Sequence, residues 1–153
     1  EGNGGGNEGE SYGLAWFNAG NFVVTDAWEK RKQKGFVFTI GDEPTLLNIS
    51  GSAIKELYGK NIPEVSDNYA VKDLLVKAQE TNHVFHIHVN HTGNRVTNMK
   101  SLLGQNCIEI KNYEEIPELI YKTINSILTT GSLEVHEDKK PKEEGEVPFK
   151  VTL

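Results

Sequence analysis

The chain is short of most features that would fix its class at a glance. Its single cysteine, Cys107, rules out an internal disulfide and agrees with a reducing compartment. Cys107 opens an apolar run, which suits a buried thiol better than a nucleophile. No apolar stretch approaches the roughly 20 residues needed to cross a bilayer, and no signal-peptide pattern is present. No membrane partner is therefore expected, and a cytoplasmic location is. Cations are in the minority: 16 Lys and Arg against 22 Asp and Glu leave a formal charge of −6. That balance argues against nucleic acid as a main partner, because neutralising phosphates takes clustered Lys and Arg. The one basic run, Lys30-Arg31-Lys32-Gln33-Lys34, reads as a solvated helix end beside a turn. The only methionine is Met99 and the first residue is Glu1, so the chain is expected to be a piece of a longer one.

Familiar nucleotide signatures are also weak. A phosphate-cradling G-x-x-x-x-G-K-[ST] is missing. Gly4, Gly6 and Gly9 have dinucleotide-fingerprint spacing, but no strand precedes them, and Glu8 and Glu10 would repel a pyrophosphate. Ser/His/Asp catalysis needs a nucleophile on a sharp strand-to-helix elbow, and none is expected here. Asn48-Ile49-Ser50 and Asn90-His91-Thr92 fit the glycosylation pattern, which has no meaning in the cytoplasm.

What is present is an alternation of helical and extended patterns. After the Gly-rich, acidic start EGNGGGNEGE, residues Tyr12, Ala15, Trp16, Ala19 and Phe22 recur at helical spacing. Gly13 and Gly20 within that stretch mark either close packing or a break. Gly35 opens a strand over Phe36 to Ile40. A short helix is expected over Ala53 to Tyr58, ended by Gly59, and Pro63 should keep the next stretch extended. Ser66 or Asp67 is placed to cap a helix whose Val71, Leu74, Leu75 and Ala78 form one apolar stripe.

A second strand is expected over Val84 to Val89, a short helix around Val96 to Leu103, and a third strand over Cys107 to Ile110. Asn112 and Glu115 have capping-box spacing. They introduce a helix with a wide apolar face of Ile116, Leu119, Ile120, Ile124, Ile127 and Leu128, and Pro117 is tolerable in its first turn. Residues 131–153 read as a polar tail, in which VPFKVTL has the makings of an edge strand.

Strands alternating with helices imply an α/β domain over residues 1–130, with a doubly wound, mainly parallel sheet and helices on both faces. Three strands make such a sheet thin, and the domain is expected to be incomplete at its N-terminus. Ligands of such sheets bind beyond the carboxyl ends of the strands. Gly41-Asp42-Glu43-Pro44 stands at one such end and Asn90-His91-Thr92 at another.

The histidines cluster in HVFHIHVNH. On a strand, His86 and His88 share one face, opposite Phe85, Ile87 and Val89. Two adjacent imidazoles suit Zn²⁺ if a third ligand joins them, but His83 and His91 have the opposite parity. Hydrogen-bonded core histidines are the expectation.

Four stretches in order, GNGGGNEGESYGLAW, TDAWEKRKQKGFVFTIGDEP, HVFHIHVN and LLGQNCIEI, resemble the later part of prokaryotic von Willebrand factor A-like (VWA) domains over roughly residues 2 to 128. That resemblance implies a Rossmann-like protein-interaction module with unidentified protein partners, among them the upstream half of the same domain. It also implies a metal-ion-dependent adhesion site for Mg²⁺ above the sheet, built from three loops. Asp42 matches the ligand of the third loop. The Gly-rich segment matches the second loop in place but lacks its Thr, which leaves Asn7, Glu8 and Ser11 as candidates. The first loop's D-x-S-x-S occurs nowhere in the 153 residues. Glu43 is expected to face solvent. The alternatives are a metal-dependent hydrolase or phosphoryl-transfer domain using Asp42 and Glu43 with Mg²⁺, or a structural part of a larger assembly with a vestigial site.

Overall fold

Apolar and β-branched segments pair as strands, and stretches with helical periodicity cover them. The computed structural model describes residues 9–62, 66–90 and 97–131. In chain order the elements are α1 (Tyr12–Asn21), α2 (Asp26–Arg31), β1 (Gly35–Gly41), β2 (Asn48–Ser50), α3 (Gly51–Tyr58) and β3 (Asn68–Ala70). They continue with α4 (Val71–Thr81), β4 (Asn82–Val89), α5 (Thr97–Leu103), β5 (Cys107–Ile110) and α6 (Ile116–Thr130). Strands β1, β4 and β5 form one sheet in the order β1-β4-β5, and both pairings are parallel. Parallel neighbours need crossovers, and helices lie in both of them. The fold is mixed α/β.

Helices pack on both faces of this sheet. Val84 of β4 and Cys107 of β5 belong to the larger core with Trp16, Phe17 and Ala19 of α1 and Val71, Leu74, Leu75 and Ala78 of α4. The expected stripe of α4 is thus wholly buried. In α1 the core side includes Gly13 and Phe17, whereas Ala15 is exposed. Both glycines of α1 mark close packing. A Cβ on Gly13 would come within 2.7 Å of Val71 Cγ2, and one on Gly20 within 2.9 Å of the Ala78 nitrogen. The opposite face is lined by Phe38, Ile87, Val89 and Ile110 and covered by Ile116, Leu119 and Ile120 of α6. The apolar face of α6 is covered less well towards its end: Ile124 and Ile127 are half-buried, and Leu128 is 57% exposed.

The caps explain several boundaries. Thr25 accepts a hydrogen bond from the Trp28 amide to start α2, and the basic run ends that helix at Lys32, a left-handed residue. Asn112 and Glu115 form the expected capping box ahead of α6. The expected cap of α4 is not formed. Neither Ser66 nor Asp67 caps it, because residues Asn68–Ala70 are drawn into a two-stranded antiparallel ribbon with β2 and run straight into the helix from Ala70. Ser66 Oγ donates to the Asn68 carbonyl instead, at 2.7 Å, and the Asp67 carbonyl accepts from the Gly51 amide at 2.7 Å. The expectations for Pro63, for the edge strand in the tail and for Asn7, Glu8 and His91 lie outside the described residues. Among the described residues, no helix is long and apolar enough to cross a membrane.

Candidate functional site

Parallel register brings β1 and β4 to a common carboxyl end, with Gly41 opposite His88. Asp42 and Glu43 follow at once, both exposed. The loop then turns back at Pro44 and is tied to the end of the Gly-rich segment by a parallel bridge between Glu10 and Thr45. The Glu10 amide donates to the Pro44 carbonyl at 2.7 Å, and the Leu46 amide donates to the Glu10 carbonyl at 3.0 Å. Gly9 permits this approach, for a Cβ there would come within 2.6 Å of the Pro44 carbonyl oxygen. Gly9–Glu10 and the loop over Pro44–Leu46 therefore lie side by side.

Thr45 is the hub of that corner. It is 2% exposed, and its hydroxyl lies within hydrogen-bond reach of the Glu10 and Leu46 carbonyls. The Asn98 amide brackets its backbone: Nδ2 donates to the Thr45 carbonyl at 2.7 Å, and Oδ1 accepts from the Thr45 amide at 3.3 Å. This pair of bonds locks α5 to the loop carrying Asp42. Neither Thr45 nor Asn98 stands out in the sequence as a site residue, because a Thr in a loop and an Asn in a short helix carry no motif of their own.

Below the acidic corner lies a buried polar layer. Thr39, His86 and Cys107 form one row across the sheet, and Gly41, His88 and the exposed Glu109 form the next. Tyr12 of α1 covers them, its ring centroid 4.8 Å from that of His86, which lies 6.1 Å from that of His88. Burial raises the Tyr12 phenol to about 12, and the negative charges of Glu10, Asp42 and Glu43 add to the shift. The Glu43 backbone N–H opposes them without making a hydrogen bond of normal geometry. Three carboxylates thus place their field on one phenol. Burial pushes His86 down to about 4, with His88 as the second cause, so the imidazole is neutral at pH 7.

The histidine expectation is only half met. His86 and His88 are buried on one face as expected, and His86 Nδ1 lies 3.0 Å from Thr39 Oγ1. His86 Nε2 and both ring nitrogens of His88, however, have no hydrogen-bond partner among the described residues. The parity rule finds which face the rings share; it says nothing about what sits opposite them. His83 of opposite parity stacks on Phe36, at 5.2 Å between ring centroids.

Of the candidate metal ligands, Asp42 stands at the carboxyl end of β1 and Ser11 at the N-cap position of α1, where its side chain makes no capping bond. Asn7 and Glu8 lie outside the described residues. Among the described residues no three His, Cys, Asp or Glu side chains are grouped so as to hold an ion. The corner offers exposed carboxylate oxygen, the type of donor a hard cation takes. Residues Gly9–Gly13 also spell G-x-S-x-G, which invites comparison of Ser11 with a nucleophile elbow. Ser11 has φ −87° and ψ 45°, without the strain of such an elbow, so its geometry gives hydrolysis no support. Comparison of the chain with family models, with curated proteins and with solved structures finds no match.

Proposed function

We propose that this chain is the later part of a VWA-like, doubly wound α/β domain serving as a protein-interaction module, with a divalent cation at the carboxyl end of β1 as its docking point. The observation that carries the reading is the Glu10–Thr45 bridge, which holds the end of the Gly-rich segment beside the loop of Asp42. Two loops brought together beyond the carboxyl end of a parallel sheet are what such a site requires. The parallel order β1-β4-β5, with helices on both faces, is compatible with the same architecture.

In this reading Asp42 offers a carboxylate oxygen, and Glu10 and Glu43 add negative charge close by. Ser11, Asn7 and Glu8 are the candidate donors of the second loop. Thr45 and Asn98 fix the loop, so that Asp42 is presented without the entropy cost of ordering it at each encounter. Bound Mg²⁺ would supply a hard, hydrated positive charge that keeps most of its waters and accepts a partner's carboxylate in place of one. The partner is therefore a protein surface presenting Asp or Glu.

Calorimetric titration with MgCl₂ tests the reading. One protein carboxylate replaces little of a hydration shell, so binding is expected to be weak, on the order of millimolar. Asp42→Ala should abolish it and leave the thermal melt unchanged. Tight Mg²⁺ binding that survives Asp42→Ala would place the ion elsewhere and overturn the proposal.

A further inference from the structure

The buried face of the sheet carries more polar atoms than its hydrogen bonds account for. Tyr12 Oη, His86 Nε2, and Nδ1 and Nε2 of His88 are all buried without a hydrogen-bond partner among the described residues. His86 is 0% and His88 1% exposed, so bulk water does not reach them. Buried polar groups are normally satisfied, and each exception calls for a cause. Here the exceptions converge. A Cβ on Gly41 would fall on the Tyr12 hydroxyl, and Gly41 is the register partner of His88 on the same face. The phenol oxygen therefore sits beside His88, while its ring packs on His86.

Proton placement on His86 follows from its neighbour. Thr39 Oγ1 contacts both the Phe85 carbonyl, at 3.3 Å, and His86 Nδ1, at 3.0 Å. A hydroxyl has one proton and a carbonyl can only accept. When Thr39 donates to Phe85, His86 Nδ1 must carry the N–H and donate to Thr39. Nε2 is then left with a bare lone pair at the orphaned position. A hydrogen bond on one imidazole nitrogen that frees the other is how metal-ligating histidines are set.

We propose that Tyr12, His86 and His88 form a buried site for one borderline transition-metal cation, Zn²⁺ in the first instance. His86 Nε2, one nitrogen of His88 and the Tyr12 oxygen are its protein ligands, and water fills the remaining position. The spacing allows it. With Zn–N near 2.0–2.1 Å, two imidazoles on a tetrahedral ion have ring centroids about 5 Å apart; the pair here stands at 6.1 Å, so the rings close by about 1 Å on binding. A buried water would also satisfy these atoms. A water gives no one-to-one uptake of Zn²⁺ and releases no phenol proton, which separates the two. The third ligand was hidden in the sequence because Tyr12 comes from α1, far from the histidines along the chain, and reads there as an apolar helix position.

Coordination by Tyr12 releases its proton to solvent, which gives the test its signature. Chelator-treated protein is titrated with ZnCl₂, and separately with CoCl₂. One equivalent should bind, with a tyrosinate difference band in the ultraviolet, four-coordinate Co²⁺ bands in the visible and a melting temperature raised by several degrees. Tyr12→Phe, which keeps the ring packing, should lose the tyrosinate band and weaken binding at least tenfold. His88→Gln should also remove the Co²⁺ bands. MgCl₂ should give no tyrosinate band, which separates this site from the Asp42 corner. Absence of binding, or Zn²⁺ binding unchanged in Tyr12→Phe and His88→Gln, would show a water-filled polar pocket or a site elsewhere and overturn the proposal.

Discussion

The Tyr12 hydroxyl fills the space that a side chain on Gly41 would occupy. Gly41 ends β1 one residue before Asp42, and it is paired with His88. The glycine at that strand end thus serves packing as well as turning. It lets a phenol from α1 reach under the acidic corner and close the buried layer beneath. The exposed carboxylates and the buried histidines are two storeys of one structure, joined at this contact.

Gly41→Ala should therefore force the Tyr12 ring aside and destabilise the protein by about 1–3 kcal/mol, the usual cost of overpacking. Chemical denaturation measures it. Tyr12→Phe removes the hydroxyl and should recover part of the loss, so the double mutant should be less destabilised than the sum of the two single changes. Strict additivity would mean that the two residues do not meet.

Acid should weaken the fold through His86. Its imidazole stays neutral in the folded protein down to about 4, whereas the unfolded chain takes up a proton near the ordinary value of 6.5. Between those values the unfolded state binds more protons, so the contribution is full above 6.5 and is lost as the pH falls towards 4. The loss is at most about 3 kcal/mol. Denaturation midpoints at pH 7 and pH 4.5 should differ in that direction, and His86→Gln should flatten the dependence. A stability that rises on acidification would refute the assignment.

Much of this fold was legible in the residues. The stripe of α4, the strand over Phe36 to Ile40, the Gly59 stop and the Asn112/Glu115 box each rest on a local rule, and each is present. The helix of α1 was legible too, but not its buried side, since Ala15 is exposed and Phe22 follows the helix. The β2–β3 ribbon was not legible. Three-residue strands carry no period, and Ser66-Asp67 reads as a cap until Asn68–Ala70 pairs with β2. In the candidate site Asp42 was legible because it directly follows a strand. Asn98 and Tyr12 were not, since their roles depend on contacts with segments distant in the chain.

Asn98→Ala should free the loop of Asp42 rather than the core. Two hydrogen bonds to the Thr45 backbone are lost, worth about 1–2 kcal/mol together. Amide exchange at Thr45 should accelerate while that in β4 stays slow. Equal acceleration in both would mean that Asn98 supports the whole fold and has no special hold on the corner.

Cys107 should behave as a core thiol. Burial pushes it up to about 11, with Lys100 opposing and Glu109 adding to the shift. Against an ordinary thiol two units lower, the reactive thiolate is about a hundredfold scarcer. At pH 8 a thiol reagent should modify the native protein at least that much more slowly than the unfolded chain. Comparable rates would show that Cys107 is open to solvent.

The most direct measurement of a cation docking point at the carboxyl end of β1 is paramagnetic broadening by Mn²⁺, which shares the oxygen-ligand chemistry of Mg²⁺. Trace MnCl₂ is added to isotope-labelled protein and amide signals are compared before and after. Signals from Gly41 to Glu43 and from Gly9 to Tyr12 should broaden first, those of α6 should persist, and Asp42→Ala should restore the lost signals. Broadening centred elsewhere, or unchanged in Asp42→Ala, would mean that the acidic corner is a solvated turn and that the docking face lies somewhere else.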